Sequence, residues 1–238
     1  MQKPINIAIA KKQLQRINDF LETPVLIIGG LAVNQFYPVR DSYDIDLVCN
    51  YDLAQKIIKK LFPAKEWELV EDNYDDYRPN YILTHKEEQY VVKFGPKITE
   101  REPYKYINWK DIEKDTVPFK YKKDVLKNIK VPFPDVQCIL KLLSYIGRDQ
   151  IHVQKRKQDL LDFVNLTNLK EFSADRFISF IKKWKLQKII SSFSNSIKGK
   201  EKDIYKDSSI YRLIQFFHED KINDNEKKII QGKIEIKR

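Results

Sequence analysis

The sequence predicts an α+β protein, with strands and helices mixed over its first ~120 residues and an all-helical half after them. Three observations carry that expectation. Short apolar runs in the first half are stopped by Gly or Pro. One segment alternates polar and apolar in period two. From about residue 124 the apolar positions recur at helical spacing.

The elements follow in order. Residues 5–22 place Ile5, Ile7, Leu14, Ile17, Phe20 and Leu21 in a helical stripe that ends near Pro24. Val25-Leu26-Ile27-Ile28 is an apolar run halted by Gly29-Gly30, which is simplest as a buried strand. Residues 31–37 form a short helix closed by Pro38. Tyr43-Asp44-Ile45-Asp46-Leu47-Val48-Cys49 alternates as a strand does. Residues 53–62 are a helix stopped by Pro63, and strand-like pieces follow at 67–70, 81–84 and 90–94. Helices are then expected at 134–146, 154–166, 174–184 and 208–217, ahead of a polar tail after Lys221. The chain divides on this reading into an α/β core at residues 1–123 and a helical domain at 124–238.

Composition narrows the function classes. A hydrophobic fraction of 42% supplies a real core, so the chain as a whole is expected to fold. No apolar run reaches the ~20 residues of a membrane helix, and no membrane role is expected. Met1-Gln2-Lys3-Pro4 leads into polar residues rather than an apolar signal core. Cys49 and Cys138 sit in apolar runs without metal-ligand spacing, as reduced core thiols of a cytoplasmic protein would. His85, His152 and His218 are scattered, which argues against a zinc site or a histidine-based triad.

The formal net charge is +10, unevenly spread. Residues 1–100 hold 13 basic and 15 acidic side chains, whereas residues 101–238 hold 31 and 19, a net of +12. Such an excess is either the footprint of a polyanion such as RNA or the solvated face of a lysine-rich chain. Of the 44 basic residues 35 are Lys, as the second explanation expects.

Two elements carry chemistry. Only six residues are Gly, yet two of them are adjacent, where chance placement gives about 0.15 such pairs. A Gly pair at a strand end lets the backbone approach a ligand closely and turns amide N–H groups toward phosphate oxygens, or simply makes a tight turn. Asp44 and Asp46 stand at i and i+2 of a strand, so both carboxylates project to one face. They repel unless a divalent cation sits between them, and Mg²⁺ suits carboxylate plus phosphate oxygens.

Together, Ile28-Gly29-Gly30-Leu31-Ala32-Val33 and Arg40-Asp41-Ser42-Tyr43-Asp44-Ile45-Asp46-Leu47 resemble the signature of the nucleotidyltransferase (DNA polymerase β-like) superfamily. The Arg-x-Ser-x-Asp-Ile-Asp-Leu string is most like the bacterial abortive-infection AbiEii group, which includes toxins of toxin–antitoxin pairs. Two later segments resemble that group's helices. Residues 135–148 carry Lys141 amid apolar residues with Arg148 seven positions on, and residues 154–163 carry Lys155-Arg156-Lys157-Gln158-Asp159 with Asp162 beyond. Lys141, Tyr145 and Arg148 share one helix stripe. Lys141 either meets a phosphate or carboxylate, with Asp159 the favoured partner over Asp162, or snorkels to the surface.

The resemblance implies a nucleotidyltransferase-type mixed sheet and transfer of a nucleotide from an NTP to an acceptor hydroxyl. Asp44 and Asp46 would hold Mg²⁺, with Lys141 and Asp159 as the further catalytic residues. Gly29, Gly30, Arg40, Ser42 and Arg148 would bind the nucleotide; Ser42 equally suits a turn cap. The acceptor implied is an RNA, most simply a tRNA 3′ end, tracked by Lys155, Arg156 and Lys157, and a cognate antitoxin is a further expected partner. The alternatives are transfer to a small hydroxylated molecule, as in antibiotic-resistance enzymes, and a catalytically inactive nucleotide-binding module. The chain departs from the superfamily pattern on the strand at 90–94, where a third carboxylate is common and Lys93 stands instead. Gln158 likewise stands where the AbiEii group has Lys before Asp159.

Overall fold

In the computed structural model the described residues are 7–37, 42, 44–72, 80–95, 104–121, 123–148, 151–197 and 199–206. They form two compact units, one from the described residues within 1–101 and 109–132, the other from those within 102–108 and 133–238.

The first unit is built on a mixed sheet. Its elements are α1 (Ile7–Phe20), β1 (Val25–Ile28), α2 (Gly29–Asn34), β2 (Asp44–Val48), α3 (Tyr51–Leu61), β3 (Trp67–Asp72), β4 (Asn80–His85), β5 (Val91–Gly95), α4 (Trp109–Lys114), β6 (Thr116–Tyr121) and β7 (Asp124–Pro132). The strand order is β3-β4-β5-β2-β1-β7-β6. β2 runs parallel to β5 and β1 parallel to β7, and the other neighbours are antiparallel.

Period-two alternation decides which side chains enter the core. Val25 and Ile27 of β1, Ile45 and Leu47 of β2, Val92 and Phe94 of β5, and Ile129 and Val131 of β7 join one buried cluster with Leu14 and Ile17 of α1 and Ile57 of α3. The opposite positions on the central strands are Ile28, Asp44, Asp46 and Lys93. Side-chain bonds fasten α1 in place. Asn128 of β7 donates through Nδ2 to the carbonyls of Asn18 (3.2 Å) and Leu21 (2.7 Å), satisfying the helix C-terminus. Arg16 donates to the Leu61 carbonyl at 2.9 Å and so closes the end of α3.

The second unit is helical: α5 (Pro134–Gly147), α6 (Val153–Thr167), α7 (Ala174–Lys183), α8 (Gln187–Ser196) and α9 (Glu201–Lys206), with a 3₁₀ turn at Tyr104–Tyr106. Pro134 opens α5 where its missing N–H costs nothing. Ser173 caps α7, its Oγ accepting from the Arg176 amide at 3.2 Å, and Lys182 and Lys183 occupy the last turn, where the dipole favours cations.

The mixed sheet followed by helices is the α+β class the sequence predicts. The boundary at 123/124 needs correction, because Asp124–Pro132 is a strand paired with β1 and β6, and the helices begin at Pro134. Helix α2 also starts at Gly29 itself rather than after the glycines. The helix expected at 208–217 lies outside the described residues. Among the described residues no helix is long and apolar enough to cross a membrane.

Tyr90 gives a pH test of the sheet unit. Its ring is buried and its hydroxyl accepts from Gln13 Nε2 at 2.7 Å. Burial pushes its pKa from 10.0 up to about 12. The folded form therefore holds the proton more tightly than the unfolded chain. That contribution is complete below pH 10.0 and is lost as the pH rises toward about 12. Tyr90→Phe should flatten the alkaline fall in melting temperature across that window, as read by circular dichroism melts.

Candidate active site

The Gly-Gly turn and the two aspartates meet because β1 and β2 are antiparallel neighbours with Ile28 opposite Asp46. Gly29, the next residue, takes φ of +75°, a left-handed conformation that side chains resist. A Cβ there would overlap Asp46 Oδ2 and lie 3.2 Å from Asp46 Cγ. The left-handed backbone favours glycine at this position, and any Cβ there would also push the Asp46 carboxylate out of place. Gly30, beside it, is buried in the first turn of α2.

On β2, Asp44 and Asp46 face one side and are each about a quarter exposed, while Ile45 and Leu47 are buried on the other. The parallel register sets Lys93 of β5 directly beside Asp46. Its ammonium donates to Asp44 Oδ2 and stands 3.8 Å from Asp46 Oδ1. The cation that two adjacent carboxylates require is therefore present as a lysine. The pair fits a single small cation, since Asp44 Oδ2 and Asp46 Oδ1 already converge on one positive charge. Among the described residues no group of three or more His, Cys, Asp or Glu is placed to hold a metal.

Ser42 is fully buried and its Oγ donates to the Asp44 carbonyl at 3.0 Å, the local backbone bond that a turn-capping role calls for. Arg40 lies outside the described residues.

In the second unit Lys141, Arg148 and Asp159 come together between α5 and α6. Lys141, only 7% exposed, reaches Asp159 at 3.2 Å and Asp162 at 2.7 Å. Asp159 also accepts from Arg148 Nε at 2.6 Å, and Asp162 from Gln158 at 3.0 Å. Lys141 thus pairs with both carboxylates and is nearer the one not favoured from sequence. Two acids and two bases cancel, which is what allows the group to be buried. Arg148 remains about a third exposed.

Arg156 also departs from expectation. It is buried, donates to the carbonyls of Tyr145 (3.1 Å) and Arg148 (3.0 Å), and its guanidinium lies 4.2 Å from the centre of the Tyr145 ring. Helical spacing turns it inward, whereas Lys155 and Lys157 are exposed. Sequence reasoning also missed the pairing of the fully buried Asp135 with Arg176 at 2.7 Å. An Asp in a first helical turn reads as a dipole partner, and nothing local signals an arginine 41 positions on. Cys138 is fully buried, which raises its thiol pKa and leaves it unreactive at neutral pH.

These elements define an α+β protein with a carboxylate pair beside a glycine turn on its central strands. No family model and no curated protein sequence matches the chain. Among solved structures it is similar to a lincosamide antibiotic adenylyltransferase, LnuA, bound to lincomycin, with 18% identity and a TM-score of 0.46 over 70% of this chain and 99% of that one. It is also similar to an H. pylori protein provisionally described as a nucleotidyltransferase, with 18% identity and a TM-score of 0.45 over 91% and 96%. A third is the antibiotic-resistance factor ANT(2'')-Ia, at 11% identity and a TM-score of 0.40 over 75% and 93%. At such identities and scores these likenesses place the chain in no family.

The buried cluster yields a stability prediction. Lys141→Met keeps the apolar stem but removes the buried cation that Asp159 and Asp162 share, which should cost about 3–5 kcal/mol. Urea unfolding should show the loss, and adding Asp162→Asn should recover part of it. A lysine that merely snorkelled to the surface would tolerate the change.

Proposed function

We propose that the first unit binds a nucleoside triphosphate and transfers its nucleotidyl group to a hydroxyl of a small molecule. The observation that carries this reading is the conjunction at one sheet position of a left-handed Gly29, the Asp46 carboxylate packed against it, and Asp44 on the same face. Each is common alone. Joined, they offer close backbone approach for phosphates and a carboxylate pair for the cation that phosphates bring. Asp44 and Asp46 are the residues that would hold Mg²⁺, whose chemistry is to neutralise triphosphate charge and polarise the reacting phosphoryl group.

The chain's own contribution is positional. The Gly29-Gly30 backbone admits the triphosphate without a side chain in its way. Ser42 fixes the strand entry, so Asp44 and Asp46 keep a set direction. Transfer forms a bond from the acceptor oxygen to the α-phosphorus and breaks the bond to the β-phosphate bridge. Pyrophosphate leaves and the hydroxyl proton passes to water. Orientation of two reactants is the main source of rate in such a displacement.

The small-molecule acceptor is supported by Arg156, whose burial removes the arginine from the basic cluster expected to follow an RNA backbone. A second reading keeps RNA as acceptor, on the +12 net charge of residues 101–238 and the exposed Lys155 and Lys157. The toxin role and antitoxin partner implied by the AbiEii resemblance go with that second reading.

Incubation with labelled NTP, Mg²⁺ and either total RNA or a panel of hydroxylated small molecules separates the two. Labelled small product supports the first reading and labelled RNA the second. Nucleotide retention without pyrophosphate release would mean an inactive binding module. Asp44→Ala and Asp46→Ala should each abolish transfer in a folded protein, and undiminished transfer in both would remove the site assignment. For RNA, replacing Lys155 and Lys157 with Gln should lower the salt slope of binding by roughly 0.7 per lost single-strand phosphate contact. An unchanged slope makes them a solvated helix face.

A further inference from the structure

We infer that Lys93 is the resident cation of the Asp44–Asp46 pair, and that a divalent ion enters only by displacing its ammonium. This rests on reading the pair as the cation-binding part of the nucleotide site. The two carboxylates project from the same face of a central strand and are each about three-quarters buried, so a countercharge beside them is favoured. The register Asp46↔Lys93 supplies one from β5, touching Asp44 Oδ2 and facing Asp46 Oδ1. The other oxygen of Asp46 is held against Gly29. The two oxygens that Lys93 engages are thus the two an incoming cation would use.

Comparison with Lys141 shows why the first lysine can leave and the second cannot. Lys141 is 7% exposed between carboxylates that are 4% and 3% exposed, so opening it would strand charges away from water. Lys93 is 34% exposed and its partners 25% and 26%, so its ammonium can move into solvent while a divalent ion takes over the pair. Exchange of the monovalent ammonium for a divalent ion takes the two carboxylates and their cation from a net of −1 to zero. The site consequently favours the resting, metal-free state until a divalent ion competes with an intramolecular ligand at high effective concentration.

The test uses Mn²⁺ alone with the full chain, and neither nucleotide nor acceptor. Titration calorimetry should give a Mn²⁺ affinity at least ~10-fold tighter for Lys93→Gln than for the unaltered protein, since an opposing charge is removed. Lys93→Arg should bind as weakly as the unaltered chain. The metal-free melting temperature of Lys93→Gln should fall and be restored by Mn²⁺. A second measurement needs no variant: saturating Mn²⁺ should speed acetylation of Lys93 in the unaltered protein, read by peptide mass. Lys93→Gln affinity within twofold of the unaltered protein overturns the inference, as does Lys93 acetylation that is unchanged or slowed by Mn²⁺. If Lys93→Gln does not fold, the acetylation result decides alone. Tighter Mn²⁺ binding without any nucleotidyl transfer would retain the inference and remove the proposed function. Transfer with no effect at Lys93 would do the reverse.

Discussion

Two carboxylates side by side on a central strand impose the constraint around which the first unit is arranged. Asp44 and Asp46 cannot be moved apart, because the strand that carries them buries Ile45 and Leu47 between and beyond them. They must therefore be neutralised across the sheet, and the parallel pairing of β2 with β5 brings Lys93 to do it. The antiparallel pairing of β2 with β1 brings Gly29 to the other side of Asp46, where a Cβ would displace the carboxylate. One strand position thus ties together three strands and a turn, and the chemistry of the site follows from how its charge is balanced.

The second unit solves a related problem differently. Lys141, Arg148, Asp159 and Asp162 bring two acids and two bases together between α5 and α6, largely out of water. Buried ion pairs of this kind contribute little net stability relative to apolar packing, yet removing one partner is costly. The cluster therefore constrains how α5 and α6 pack more than it strengthens them. Arg156 extends the same network, bonding the carbonyls near the end of α5 and covering the Tyr145 ring, while the Tyr145 hydroxyl donates to Glu201 at 2.5 Å.

Much of the fold was legible because local pattern and tertiary burial agree in β1, β2, α3, α5, α6 and α7. The failure at β7 has a local cause. Its buried positions are Leu126, Ile129, Val131 and Pro132, in steps of three, two and one, so strict alternation is broken and the first pair mimics a helical turn. Its partner β6 is interrupted by a register shift between Pro118 and Phe119. Neither strand advertises itself without the other. Arg156 was misread for a comparable reason: a run of three bases looks like one surface, but neighbours on a helix diverge by about 100°, and only its flanking lysines face water.

The sequence by itself determined the parts that depend on near neighbours. The Gly-Gly turn, the shared face of Asp44 and Asp46, and the helical stripe of Lys141 and Arg148 all follow from backbone periods of 2 and 3.6. Tertiary structure alone decided the partners. Lys93 lies 49 residues from Asp44, Asp159 lies 18 from Lys141, and Arg176 lies 41 from Asp135. Charge pairing in a folded chain acts through space at a few ångströms, and which residues come that close is set by strand register and helix packing, which no local period encodes.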